Sequence, residues 1–79
     1  MKSNKPIHSI RFGHVQASIW ENETKMGIRH NVTVSRSYLD DEKNWQRTDS
    51  FGRDDLLLLA KAVDLAHTWI NAQTKEEAN

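Results

Sequence analysis

Between Ile28 and Ser37 the chain interleaves two kinds of residue. Ile28, His30, Val32 and Val34 fall on one parity, and Arg29, Asn31, Thr33, Ser35 and Ser37 on the other. A period of two marks a strand with one face on a core and the other on water or a ligand. The polar set is hydrogen-bonding and partly cationic, unlike the Glu/Lys mixture of an ordinary solvated sheet. The preceding run repeats the pattern, with Val15, Ala17 and Ile19 against His14, Gln16, Ser18 and Trp20. Aromatic rings that stack bases, together with cations and amides that meet phosphates and base edges, are what hold single-stranded nucleic acid. The candidate contacts are Trp20 for stacking, Arg11, Lys25, Arg29 and Arg47 for phosphates, and Gln16 and Asn31 for base edges. A single tryptophan at such a position would equally serve by packing on its strand neighbours.

Catalysis finds less support. Four histidines with abundant Ser and Asp allow a triad on paper, but no nucleophile-elbow, phosphate-loop or zinc-binding spacing occurs. His8, His14 and His30 could meet across adjacent strands, yet His30 follows the core parity and His14 the outer one. No catalytic residue, metal or cofactor is expected, and the chain is not read as an enzyme.

Composition narrows the classes further. Seventy-nine residues form one domain, and at this size only roughly 60% of the unfolded surface is buried, so stability is marginal without help. The absence of cysteine rules out disulfides and thiolate chemistry and fits a reducing cytoplasm. Oligomerisation is the remaining common aid, so a homodimer is expected. No apolar run approaches a membrane span and no signal-peptide core follows Lys2 to Lys5, so a soluble cytoplasmic protein is expected. Net charge is zero. Met1 to Arg36 carries six Lys/Arg against two acids, whereas Ser37 onward carries five against nine. A basic sheet backed by an acidic helix would follow from that split, although a short chain also produces such unevenness by chance.

The elements that must position these residues are four strands and a helix. A flexible tail, 1–6, precedes one domain, 7–73, and a second flexible tail, 74–79, follows it. The strands are expected at Ile7 to Phe12, His14 to Glu21, Ile28 to Tyr38 and Trp45 to Phe51, with Gly13, Asn22 to Gly27 and Asp40 to Asn44 as turns. The long third strand suggests a bulge near Ser35 to Ser37. According to register, the fourth strand contributes either Arg47 and Trp45 or Gln46 and Thr48 outward, and Trp45 reads as a hairpin anchor. Tyr38 is placed at the core rim. Gly52 as N-cap, with Asp54 and Asp55 in the first turn, starts a helix to about Gln73. Its apolar stripe is Leu56, Leu59, Val63, Ala66 and Ile70, flanked by Ala62, Leu65 and Trp69. Leu57 and Leu58 widen the stripe and suggest a dimer interface on the helix face. The fold class is α+β, a four-stranded antiparallel meander closed by one helix on one sheet face (ββββα).

This order of elements resembles the single-strand-binding domains of the positive cofactor four and Whirly type. The likeness is carried by Arg11, Phe12 and Gly13 entering a hairpin, Ile19 and Trp20 ending the second strand, Gly27 to Val34 opening the third, and Leu56 to Ile70 as the closing helix. It spans about Ile7 to Ile70 and rests on topology. It implies a dimer that presents sheets to single-stranded DNA, with a place in transcription or in replication and repair. This chain is less basic than those domains, and its Asp40 to Phe51 segment is longer. The run Ser50, Phe51, Gly52, Arg53, Asp54, Asp55, Leu56 is similar to a segment of a family of small bacterial proteins with no assigned activity, and implies none. The expected ligand is single-stranded DNA or RNA, DNA being preferred. The alternative is a protein-interaction module that receives another chain on the open sheet or the fourth-strand edge and binds no nucleic acid.

Overall fold

A computed structural model describes residues 5–78 of the chain, so the expected tail residues 1–4 and Asn79 lie outside the described residues. The strands β1 (His8–Phe12), β2 (Val15–Thr24), β3 (Gly27–Leu39) and β4 (Trp45–Thr48) pair in sequence order into one antiparallel sheet, and α1 (Leu56–Ala78) packs on one face. The ββββα architecture expected from the sequence is therefore present.

Alternation within β2 explains the layering. Val15, Ala17 and Ile19 are fully buried, and Ala62 and Ala66 of α1 complete the buried core. The two alanines, one helical turn apart, let the helix backbone approach the β2 side chains closely. Ile10, Phe12, Val34, Phe51, Leu59, Trp69 and Ile70 pack around this centre. The apolar stripe is thus rotated from the expected line, because Ala62 and Ala66 occupy the middle while Leu56 and Val63 are 50% and 43% exposed. The helix lies over β1 and β2 and only grazes β3. Ile28, Val32 and Tyr38 on the helix side of β3 therefore stay partly open.

Turn chemistry moves several expected boundaries. Gly13, at φ +56°, takes the first position of a two-residue hairpin turn, where glycine meets no Cβ penalty. The segment Asn22 to Gly27, expected as a loop, is mostly strand. Only Lys25 and Met26 lie between the paired residues Thr24 and Gly27. The Thr24 hydroxyl accepts from Met26 N–H at 3.2 Å and donates to Gly27 O at 2.7 Å, and Gly27 itself sits at φ +117°. Asn22 and Glu23 looked like loop residues because the hairpin they belong to runs past the end of β1 and needs no apolar face there. The β2–β3 register is continuous from Val15↔Arg36 to Thr24↔Gly27, so the length of β3 is accommodated without the expected bulge.

β4 ends at Thr48 rather than Phe51. The Thr48 hydroxyl accepts from Ser50 N–H at 3.1 Å, and Arg36 Nε donates to Ser50 O at 2.9 Å, which turns the chain out of the sheet. A 3₁₀ turn, Arg53–Asp55, then leads into α1. Gly52 N–H donates to the Asp55 carboxylate at 3.2 Å, the half of a capping box that glycine permits. The same carboxylate lies 3.4 Å from Arg36 Nε and ties β3 to the helix start. Helical backbone continues past Gln73 to Ala78, where a flexible tail was expected.

Candidate nucleic-acid interface

Strand pairing assigns every side chain to a face, because residues directly opposite in an antiparallel ladder point the same way. Opposite the helix, β1 presents Arg11, β2 presents Gln16, Ser18, Trp20, Asn22 and Thr24, β3 presents Arg29, Asn31, Thr33, Ser35, Ser37 and Leu39, and β4 presents Trp45 and Arg47. The pairings Ser37↔Arg47 and Leu39↔Trp45 decide the register that the sequence left open, in favour of Trp45 and Arg47.

Among the strand positions of this face the charged residues are three arginines and no carboxylate. Glu21 and Glu23, opposite His30 and Ile28, fall on the helix side. The half-by-half charge split is therefore not the face-by-face one. Arg36, from the basic half, turns to the helix side, bonded to Ser50 O and Asp55, with its guanidinium carbon 5.7 Å from the centre of the Tyr38 ring. Arg47, from the acidic half, joins the open face.

Trp20 is opposite Asn31, and its indole N–H donates to Thr33 Oγ1 at 2.8 Å. The ring is tethered to the neighbouring strand toward Thr33. Arg29 lies the other way, opposite Asn22. Trp20 and Arg29 are accordingly successive stations along one hairpin rather than a packed pair. Arg29 lines a shallow cleft of about 430 Å³ with Asn22, Thr24, Met26, His30 and Asn31. Lys25 is exposed at the adjoining turn. Toward the other end of the face, Arg47 lines a second cleft, about 510 Å³, with Ser35, Thr48 and Asp49. Asp49, which follows the end of β4, is an acid in the lining of this cleft. Gln16 and Arg11 are a cross-strand pair; the Gln16 amide donates to Ser18 Oγ at 3.2 Å and Arg11 Nε to Gly13 O at 3.4 Å. All seven residues singled out from the sequence are thus on the open face or at its hairpin tip, spread along it rather than gathered in one pocket.

The histidines divide between the faces. His8 stacks on Trp69 with ring centres 4.7 Å apart and planes within 7°, and His30 meets the same indole edge-on at 6.4 Å while approaching Glu21 at 3.8 Å. These three rings close the helix side of the core. His14 lies on the open face, its ring centre 5.9 Å from that of Trp45. Sequence reasoning passed over this last pair as a site. The signal that could have found it was the shared parity of Trp45 and Arg47.

The β3–β4 turn is held by Asp40, whose carboxylate accepts from Asn44 N–H at 2.8 Å, Glu42 N–H at 2.9 Å and Gln46 Nε2 at 3.0 Å. The Asn44 backbone bond, then the Gln46 amide and the Glu42 backbone bond, hold its carboxyl below the usual carboxylate range. The acid is thereby turned into its own loop, where Lys43 takes φ +65°. Among the described residues no helix is long and apolar enough to cross a membrane. Comparison of the chain with protein-family models, with curated proteins and with solved structures finds no match, so the geometry of this face is what bears on its role.

Proposed function

We propose that the open sheet face binds single-stranded nucleic acid, DNA in preference to RNA. The observation that carries this reading is the face itself. Its strands offer three arginines, two tryptophans and a run of hydroxyl and amide groups without a carboxylate. In this account a base stacks on the Trp20 indole, whose N–H is already occupied by Thr33 and whose orientation is therefore set before binding. Phosphates fall to Arg11, Lys25, Arg29 and Arg47, and base edges to Gln16 and Asn31. No bond is made or broken. A net charge of zero is compatible with this role because the two strand carboxylates and much of the remaining acid lie on the helix side or in turns.

Fluorescence anisotropy of a labelled oligonucleotide at low salt tests the proposal. Binding is expected in the range of nonspecific nucleic-acid contacts, tighter than about 100 μM. Absence of binding there, or binding that Trp20→Ala and Arg29→Ala leave intact, would sink it.

A homodimer through the helix face is part of the same proposal, supported by Leu57, which is 83% exposed. Leu58 contributes less, because its Cδ1 lies over the Gly13 turn, 3.7 Å from where a Cβ there would sit. Sedimentation of the wild type and of Leu57→Lys distinguishes the states: a dimer that the substitution dissociates is expected, and a wild-type monomer would refute it. A cytoplasmic location is proposed on the absence of cysteine. Salt-insensitive capture of a protein partner would favour the interaction-module reading instead.

A further inference from the structure

We infer that Trp45, backed by His14 and neighboured by Arg47, is a second base-stacking station on the open face, so that one nucleic-acid strand is gripped at two ends of β3. The inference rests on the proposed function above and specifies the footprint of its ligand. Trp20 is opposite Asn31 and Trp45 is opposite Leu39. The two β3 partners are eight residues apart (39 minus 31), an even number, so both indoles rise from the same face. At about 3.4 Å per residue the stations are roughly 27 Å apart along β3.

Each station pairs a tryptophan with an arginine in an adjoining cleft. Trp20 precedes the cleft lined by Arg29, and Trp45 precedes the cleft lined by Arg47. The floor between them on β3 consists of Thr33, Ser35 and Ser37, which offer hydroxyl donors to a backbone. Trp45 is 63% exposed, and the His14 ring, tilted 36° to it, supports the indole from the β1–β2 turn. An isolated surface tryptophan needs no such explanation. One that shares a face and a pairing strand, β3, with a second tryptophan, each with an arginine of its own nearby, does. Asp41 and Glu42, exposed in the turn just beyond Trp45, would repel phosphates, so the strand ends there or bends toward Arg47.

The spacing predicts a length threshold. A trinucleotide has two backbone steps, and bridging roughly 27 Å would need over 13 Å per step, about four times the ~3.4 Å rise of a stacked strand. A fully stacked strand would need about eight steps, within the ~4 to 16 nucleotides that single domains of this kind of use commonly cover.

Labelled oligothymidylates of three and twelve nucleotides are titrated against the full-length wild type, Trp45→Ala, Trp45→Phe and Trp20→Ala, with each variant's fold checked by urea denaturation. Removing one stacked base is expected to weaken the twelve-mer about 5- to 150-fold in Trp45→Ala. The trinucleotide, which engages one station at a time, should change by no more than about two-fold, the loss of one of two equivalent choices. Trp45→Phe should restore most of the twelve-mer affinity, which a purely structural role for this ring beside β4 would not require at unchanged stability. If Trp45→Ala binds the twelve-mer like the wild type while Trp20→Ala does not, the second station is refuted and the face reading survives. If neither oligonucleotide binds the wild type, the proposed function fails and this inference with it.

Discussion

Replacing Arg29 by Gln removes one cation from the open face while keeping a hydrogen-bonding side chain of similar length. The substitution therefore isolates the electrostatic part of binding. Four basic residues are assigned to phosphates: Arg11, Arg29 and Arg47 on the strands and Lys25 at the β2–β3 tip. For single strands each neutralised phosphate contributes about −0.7 to the slope of log affinity against log salt, so four contacts give a slope near −2.8. Raising salt fourfold, from about 50 to about 200 mM, should then weaken the wild type about 50-fold, whereas Arg29→Gln, with a slope near −2.1, should weaken only about 20-fold. The assay is anisotropy titration of one oligonucleotide at several salt concentrations. Lys61→Gln, at an exposed position on the helix side of the molecule, is the control and should leave the slope unchanged. A wild-type slope shallower than one phosphate's worth, or an equal loss of slope in Lys61→Gln, would refute the assignment of the face, since binding would then ignore where the charges lie.

Further expectations follow from the fold. Asp40 has a folded pKa below its ordinary, unfolded value, held down by the Asn44 backbone and Gln46 amide hydrogen bonds. Its contribution is therefore present above the unfolded value and is lost as pH falls through the folded one. NMR titration should find Asp40 ionising below the usual carboxylate range, with the Gln46 side-chain amide shifting in parallel; an Asp40 that titrates like an ordinary exposed aspartate, or above it, refutes the loop description. Asp55→Ala deprives Gly52 N–H of its acceptor and Arg36, which keeps Ser50 O, of its carboxylate partner, and should cost about 1 to 2 kcal/mol in urea denaturation, since the Arg36 and Asp55 side chains are only partly exposed. A loss under about 0.3 kcal/mol would show that Gly52 and Arg36 are satisfied otherwise. Ala66→Leu overfills the seam between α1 and β2 and should destabilise by about 1 to 3 kcal/mol, while a neutral result would mean that the helix is not seated where Ala66 is buried.

Much of the architecture was legible because hydrophobic period is local. Val15, Ala17 and Ile19 announce a strand with a buried face without reference to any neighbour, and the apolar run from Leu56 to Ile70 announces a helix. Gly13 was readable for the same reason, as the one residue that takes a positive φ at no steric penalty. Where local cues conflicted with pairing, the reading shifted. Asn22 and Glu23 are polar on both parities and looked like loop, yet they extend a ladder whose hydrogen bonds need no apolar side chain. The stripe of α1 runs through Leu56, Leu59, Val63, Ala66 and Ile70 when read by residue type, whereas closest approach to β2 keeps Ala66, moves the flanking Ala62 to the centre and leaves Leu56 and Val63 half-exposed.

The sequence by itself determined that one strand face would be polar and cationic, and it named Gln16, Ser18 and Trp20 on β2 and Arg29, Asn31, Thr33, Ser35 and Ser37 on β3 as occupying it, since parity within a strand follows from the covalent order. Only the tertiary structure decided which parity of β4 joins that face, because a one-residue slip in pairing would have exchanged Trp45 and Arg47 for Gln46 and Thr48. That choice is made by the Asp40 turn and by the ladder from Arg36↔Thr48 to Leu39↔Trp45. The structure also set Trp20 against Thr33, turned Arg36 to the helix and placed two tryptophans, on β2 and β4, opposite β3 positions eight residues apart. These are relations between residues distant in the chain, and they exist only once the strands are in register.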